Sequence, residues 1–234
     1  MQFFVSSEVF SRHPDAMIGI IVAESIDNSA ADGATEALLC EAEKQVRSTL
    51  NEATFKEHPN IAAMQEIHRS FGNNPNKFPP SVQALLKRVL KGGQLPVINP
   101  LVDIYNVISL RHVVCIGAED TDTCSGDLRL TIADGGEPFT PLGEEANDPA
   151  VAGELVYRDD TGIICRKLNW REGDRTKITE HTKNAVIVVE GFPPVTREKL
   201  DGILQELSAL TAEHCRAETR IEVLTKERPE CAIR

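Results

Sequence analysis

The apolar positions of the chain repeat with two different spacings, and the places where the spacing changes mark out its elements. Gln2 to Val5 and Met17 to Ala23 are short runs rich in Val, Ile and Phe, the composition of strands, and Asp27-Asn28-Ser29 closes the second with turn chemistry. From Thr35 to Leu50 apolar residues recur at helical intervals among Ala, Glu, Lys and Gln, which predicts an amphipathic helix with a solvated acidic face. A further helix is expected from Asn60 to Phe71. Gly72 to Pro80 is dense in Gly, Asn and Pro and reads as a loop. Ser81 is expected to cap a short helix, Val82 to Leu90, that Gly92 and Gly93 end. Asn99 and Pro100 have the residue types of a cap and a first turn, opening a helix that reaches about Leu110.

The second half reads differently. Val113 to Ile116, Leu128 to Ala133, Leu155 to Arg158, Ile163 to Leu168 and Ala185 to Glu190 have strand composition, with Asp159 to Gly162 as a hairpin turn. A helix near Thr196 to Cys215 and a strand near Arg220 to Thr225 close the chain. Runs of helix followed by runs of strand predict an α+β fold rather than a regular βαβ alternation. With no internal repeat, low-complexity tract or linker in view, one mixed domain over residues 1–234 is expected.

Composition narrows the class. A hydrophobic fraction of 41% and an aromatic fraction of 5% in 234 residues are ordinary for a folded globular protein. Met17 to Ala23 is far too short to span a membrane and Met1 to Val5 lacks the basic flank of a signal peptide, so a cytoplasmic protein without membrane association is expected. Six cysteines show no Cys-x-x-Cys pairing, and Cys115 and Cys165 sit inside apolar runs, as buried free thiols do in a reducing compartment. The net charge of −11 disfavours unspecific binding to nucleic acid or anionic lipid. Between Lys56 and Lys91, however, six basic residues face only Glu57 and Glu66, so a polyanion can still dock there.

The strong enzyme motifs are missing: no Gly-x-Ser-x-Gly, His-Glu-x-x-His, Walker loop or Gly-x-Gly-x-x-Gly occurs. Asp120-x-Asp122 with Gly126 and Asp127 approaches a calcium loop, but Cys124, Ser125 and Thr131 stand where a ligand, the turn glycine and the closing glutamate belong. An ordinary polar turn fits better, and no metal or cofactor is expected. In the helix opening at Asn99, Leu101, Ile104, Tyr105 and Ile108 form the core face, while Asn99, Asp103 and Asn106 share another face that Ser109 extends. Asp, Asn and Ser each cost a few tenths of a kcal/mol in mid-helix, so short polar groups here point to ligand contact or to structural hydrogen bonding. Both readings stay open. Cys165 to Asn184 holds the only tryptophan, Trp170, next to Arg171 at a strand end. It is either a binding surface or a core anchor with a charged sheet edge. The six histidines do not cluster; His112 ends the polar helix, and His68 beside Arg69 can help bind phosphate.

Several ordered segments carry a resemblance. Asn99-Pro100-Leu101-Val102-Asp103-Ile104-Tyr105-Asn106, Gly126-Asp127-Leu128-Arg129-Leu130 and Gly136-Glu137-Pro138-Phe139 resemble the editing module of the phenylalanyl-tRNA synthetase beta subunit, whose domains are called B-three and B-four. Phe78-Pro79-Pro80-Ser81, Ala84-Leu85, Cys165-Arg166, Asn169-Trp170-Arg171 and Arg175-Thr176 are similar to free-standing proteins made of this module alone. The resemblance runs from Phe3 to about Pro194 and implies an α+β fold with a pocket that hydrolyses mischarged tRNA. By position, Asp103 and Asn106 match the helix lining that pocket, and Thr182 and Asn184 match the segment before the last sheet strand. Two departures stand out: Gly117 where the synthetase has a histidine, and Trp170-Arg171 where it has a glycine pair.

The reading that joins these observations is an aminoacyl-tRNA deacylase acting in trans on the aminoacylated 3′ end of tRNA; the sequence leaves its oligomeric state open, with a monomer favoured. Asn106 and Ser109 are its expected catalytic residues, orienting water and ester. Asn99, Asp103, Trp170, Arg171, Thr176, Thr182 and Asn184 are expected to bind substrate, with Trp170 and Arg171 clamping the terminal adenosine. Arg69, Lys77, Lys87 and Arg88 are expected to contact RNA phosphates. The alternatives are a non-catalytic module binding tRNA or another ligand through the same pocket, and a protein-interaction domain using the acidic helix.

Overall fold

Two sheets face each other across the main core, and helices cover the remaining faces. The computed structural model describes residues 1–29 and 33–234. The larger sheet takes β1 (Gln2–Val5), β4 (Leu128–Ile132), β5 (Leu155–Arg158), β6 (Ile163–Arg166), β7 (Arg171–Glu172) and β10 (Glu230–Ala232), in the order β10-β1-β4-β5-β6-β7. Only β1 and β4 run parallel in it. The smaller sheet is antiparallel throughout, in the order β3-β8-β2-β9, from β2 (Met17–Glu24), β3 (Ile116–Asp120), β8 (Ala185–Gly191) and β9 (Glu218–Leu224). The helices are α1 (Ser7–Arg12), α2 (Ala34–Thr49), α3 (Pro59–Ser70), α4 (Ser81–Leu90), α5 (Pro100–His112) and α6 (Arg197–Cys215), with a 3-10 turn at Phe55–Glu57. None of them is long and apolar enough to cross a membrane.

The smaller sheet is buried on both faces, which is why β2 and β8 are nearly continuous apolar runs. Ile18, Ile20, Val22, Val186 and Val188 point into the core shared with the larger sheet. The alternate residues Ile21, Ala23, Ala185, Ile187 and Val189 pack with α5 and α6. Gly19 lets α6 approach that second face: a Cβ built there would lie 2.8 Å from Leu204 Cδ2.

The mixed α+β class and most elements agree with the sequence pattern. Asn99 caps α5, accepting the Val102 N–H at 3.1 Å, and Asp159 accepts the Thr161 and Gly162 N–H groups to close the β5–β6 hairpin. Cys115 and Cys165 are free and buried. Three expectations are corrected. The strand expected at Val113 begins at Ile116, because Val113 adopts a left-handed conformation at φ 54° as the C-cap of α5. Pro80 rather than Ser81 occupies the cap of α4. The strand expected to reach Leu168 stops at Arg166, since Lys167 and Leu168 both take positive φ and turn the chain. Helix α1 was not expected at all.

Candidate functional site

Strand register assembles the site. On β5, β6 and β7, Tyr157, Cys165 and Glu172 are successive cross-strand partners, so all three point from the larger sheet toward the smaller one. On the opposing sheet, Gly117 pairs with Val188, Glu119 with Val186 and Glu190 with Ile18, and these partners face the shared core. Three glutamates thus converge from two sheets. Around them lies a cavity of about 20 Å³, lined among others by Phe3, Gly117, Glu119, Cys165, Glu172 and Glu190. That is enough for about one water molecule.

A second, open space adjoins the first. It is a cleft of about 300 Å³ with apolar walls from Ile98, Val102, Ala118, Leu142 and Ile178, and Tyr105, Asn99 and Lys177 also line it. Ile98 and Leu142 are exposed at its mouth, by 57% and 46%. Among the described residues, Ala118 and Glu172 line both spaces.

The carboxyl groups are perturbed by burial. Glu119 and Glu172 face each other within hydrogen-bonding reach, and burial together with the neighbouring Glu172 charge lifts Glu119 well above the usual carboxylate range. Burial lifts Glu172 to about 7, against hydrogen bonds from Glu119 and Cys165 that pull it down. Glu190 is pushed up to about 8 by burial, although Asn169 Nδ2 and Tyr157 Oη (2.9 Å to Oε1) both donate to it. Burial thus biases all three carboxyl groups toward their neutral forms, with Glu119 and Glu172 titrating together rather than one by one. The Tyr105 hydroxyl is kept protonated by burial and by the charges of Glu172 and Glu119.

The residues singled out from sequence are distributed unevenly around these spaces. Asn99 lines the cleft. Asp103 is fully buried and turned away from it, accepting from the Ile98 N–H at 3.0 Å and from Thr35 Oγ1 at 3.3 Å, and burial raises its pKa. Asn106 is half-buried and Ser109 buried, and neither lines the cleft or the cavity. Thr176 is 1% exposed, and its hydroxyl lies beside Glu119 and draws that carboxyl down against the effect of burial. Thr182 Oγ1 donates to Asp120 Oδ2 at 2.7 Å and Asn184 Nδ2 to Asp122 Oδ2 at 2.8 Å, so both tie the turn after β3 to the segment before β8. Asp120 and Asp122 of the calcium-like pattern are engaged in this turn, while Asp127 accepts the Gln2 N–H.

Trp170 packs edge-on against Phe78 with ring centroids 4.6 Å apart, and Arg171 pairs with Glu144. In a strand successive side chains alternate faces, so Arg171 points away from the cavity that Glu172 enters. Arg69, Lys77, Lys87 and Arg88 are exposed. Of these, Arg69 is held by Glu66, Lys77 sits 5.0 Å from the Phe78 ring centroid, and Arg88 Nε donates to the Gln94 carbonyl. His68 does not reach a surface phosphate: it is fully buried, and burial lowers it to about 4, so it stays neutral. Glu119, Glu172 and Glu190 were missed. The available signal was Glu190, a carboxylate ending the apolar run Ala185 to Val189, because a charge there must be paired or neutralised.

A family model described as the B3/4 domain matches residues 63–215. That span contains Gly117, Glu119, Cys165, Glu172 and Glu190. Among solved structures, an N-terminal fragment of the phenylalanyl-tRNA synthetase beta-subunit from Pyrococcus horikoshii aligns with a TM-score of 0.48 and 15% identity, over 93% of this chain and 50% of that one. The chain thus spans about half the length of that fragment. No curated protein matches the chain.

Proposed function

The chain belongs to the B3/4 domain family, and on that premise we propose that it is an aminoacyl-tRNA deacylase acting in trans, hydrolysing the ester that joins a wrong amino acid to tRNA. The observation that carries this reading is the junction of an apolar cleft of about 300 Å³ with a cavity of about 20 Å³. A cleft of that size is within the range of small-ligand sites, and the cavity is matched to one water. Ester hydrolysis needs those two occupants side by side. An activated ester asks for positioned water and hydrogen-bond donors more than for a strong nucleophile, which suits a site without a catalytic triad. The apolar walls favour an amino acid with an apolar side chain. Exposed Arg69, Lys77, Lys87 and Arg88 would hold acceptor-stem phosphates, giving modest affinity that falls with added salt.

The test is a deacylation assay over tRNAs charged with apolar, small polar and acidic amino acids. Ester loss is expected for the apolar members, well above the spontaneous rate. Tight binding with no ester loss on any member would instead support a non-catalytic tRNA-binding module, a reading favoured by Asn106 and Ser109 lying away from both spaces.

A further inference from the structure

We infer that Glu172 is the general base of this site, accepting a proton from the water held in the inner cavity, and that Gly117 is the residue that makes room for it. The inference rests on the deacylase reading and adds to it the residue that drives the chemistry.

Position is the first argument. Glu172 and Ala118 bridge the outer cleft and the inner cavity, and of these two only Glu172 has a side chain that can take a proton. Space is the second. A Cβ built on Gly117 would lie 3.0 Å from Glu172 Oε1, tighter than ordinary contact, so any larger residue at 117 would press on the carboxyl group. A glycine at 117 and a glutamate at 172 are two halves of one arrangement.

The surroundings suit the role. Glu172 faces Glu119 from β3, Cys165 from β6 and Tyr105 from α5, with Glu190 on β8 farther back and Arg175 close to Glu119. Cys165 and Tyr105 are both pushed up by burial and stay protonated, so neither competes for the proton, and Cys165 donates to Glu172. Burial places Glu172 near 7, where both its forms are populated at working pH. Two carboxyl groups that share a proton are a recurring way to activate water.

The step balances as follows. Glu172 removes a proton from water while the water oxygen bonds to the ester carbonyl carbon, giving a tetrahedral intermediate. The bond from that carbon to the ribose oxygen then breaks, and Glu172 returns the proton to the departing oxygen. The products are a free amino acid and tRNA with its terminal hydroxyl restored.

The experiment compares the wild type with Glu172→Gln and Glu172→Asp on the best substrate of the panel. Each variant is also tested for binding to an amide-linked, non-hydrolysable aminoacyl-tRNA. Glu172→Gln should lower kcat by about a hundredfold or more, the usual yield of a general base, with binding unchanged. Glu172→Asp should recover part of the loss. In the wild type kcat should rise tenfold per pH unit and level off near pH 7, and the glutamine variant should lack this inflection. If the wild type deacylates and Glu172→Gln stays within threefold of it, the base role is overturned and the deacylase reading survives. If binding weakens as much as kcat falls, Glu172 is a binding residue and the inference fails. If the wild type deacylates nothing, both fall together.

Discussion

Substituting Glu190 by glutamine tests the burial of the carboxyl cluster through stability alone, with no substrate involved. Glu190 is 4% exposed, and its pKa moves from an ordinary 4.5 to about 8 because burial disfavours its charge. A carboxyl group with a raised folded-state pKa binds more protons folded than unfolded, so it lowers stability as pH rises from the unfolded value to the folded one. Its full contribution is present below about pH 4.5 and gone above about pH 8. Within that window the slope approaches about 1.4 kcal/mol per pH unit and falls to half of that at the folded pKa, so Glu190 alone should cost about 2 kcal/mol between pH 6 and pH 8. Against a typical domain stability of about 5–15 kcal/mol that is easily measured. Glutamine keeps the shape, accepting from Asn169 through its oxygen and donating to Tyr157 through its amide, so the variant should match the wild type near pH 5. Denaturant titrations at each pH from 5 to 9 supply the comparison. The wild type should lose stability across the range, and Glu190→Gln should lose markedly less. Parallel curves would mean that Glu190 titrates as an exposed carboxylate, and the buried-cluster reasoning would be wrong.

Other perturbations probe the frame and the cleft. Glu154 accepts from Arg166 at 2.5 and 2.9 Å and from Lys167, all three being buried, so Glu154→Ala strands Lys167 and leaves Arg166 with Asp148 alone, and should cost about 3–5 kcal/mol; a loss below 1 kcal/mol by denaturant titration would refute this. Burial alone would raise the Glu154 pKa, but the hydrogen bonds from Arg166 and Lys167 win and hold it below its usual value. Its stabilisation is therefore present above the ordinary carboxylate range and lost as pH falls through the lowered value, a limb the alanine variant should lack. At the cleft mouth, Ile98→Ser and Leu142→Ser should leave stability within about 0.5 kcal/mol and raise KM for an apolar aminoacyl ester with kcat unchanged. An unmoved KM would place the amino-acid side chain elsewhere.

Much of the fold could be read from the chain because its longer elements state their own period. Helices α2, α3, α5 and α6 have enough turns for a face to repeat, and Asn99-Pro100 and Thr196 mark two starts with side chains that do cap them. Short elements fail for want of length: α1 buries only Val9 and Phe10 in six residues, β7 has two residues and β10 three. The strand near Val113 was displaced for another reason. Val113-Val114-Cys115-Ile116 has strand composition, yet the chain spends it on the left-handed exit from α5, and the real strand continues into Glu119 and Asp120. Those two acidic residues look like loop until the facing sheet is in place to bury them.

The site was legible only where a residue is unusual within its own element. The polar face of α5 met that condition, and its meaning turns on what each group holds. Asp103 is occupied by the Ile98 N–H and the Thr35 hydroxyl, and Asn99 by the cap of α5. These bonds fix the segment that carries Ile98 and Asn99, which forms one rim of the cleft. Structural hydrogen bonding and ligand contact, alternatives when read from sequence, are here consecutive steps: Asp103 anchors the rim so that Ile98 and Asn99 can line the opening. Of the carboxyl groups beyond the rim, Glu119 and Glu172 gave no such local sign. Glu172 is an ordinary residue in a polar stretch until β6 sets Cys165 beside it, and Gly117 is an ordinary strand glycine until β7 brings Glu172 Oε1 against it. Their pairing exists only across the gap between the two sheets, 55 residues apart in the chain, where neither periodicity nor spacing can register it.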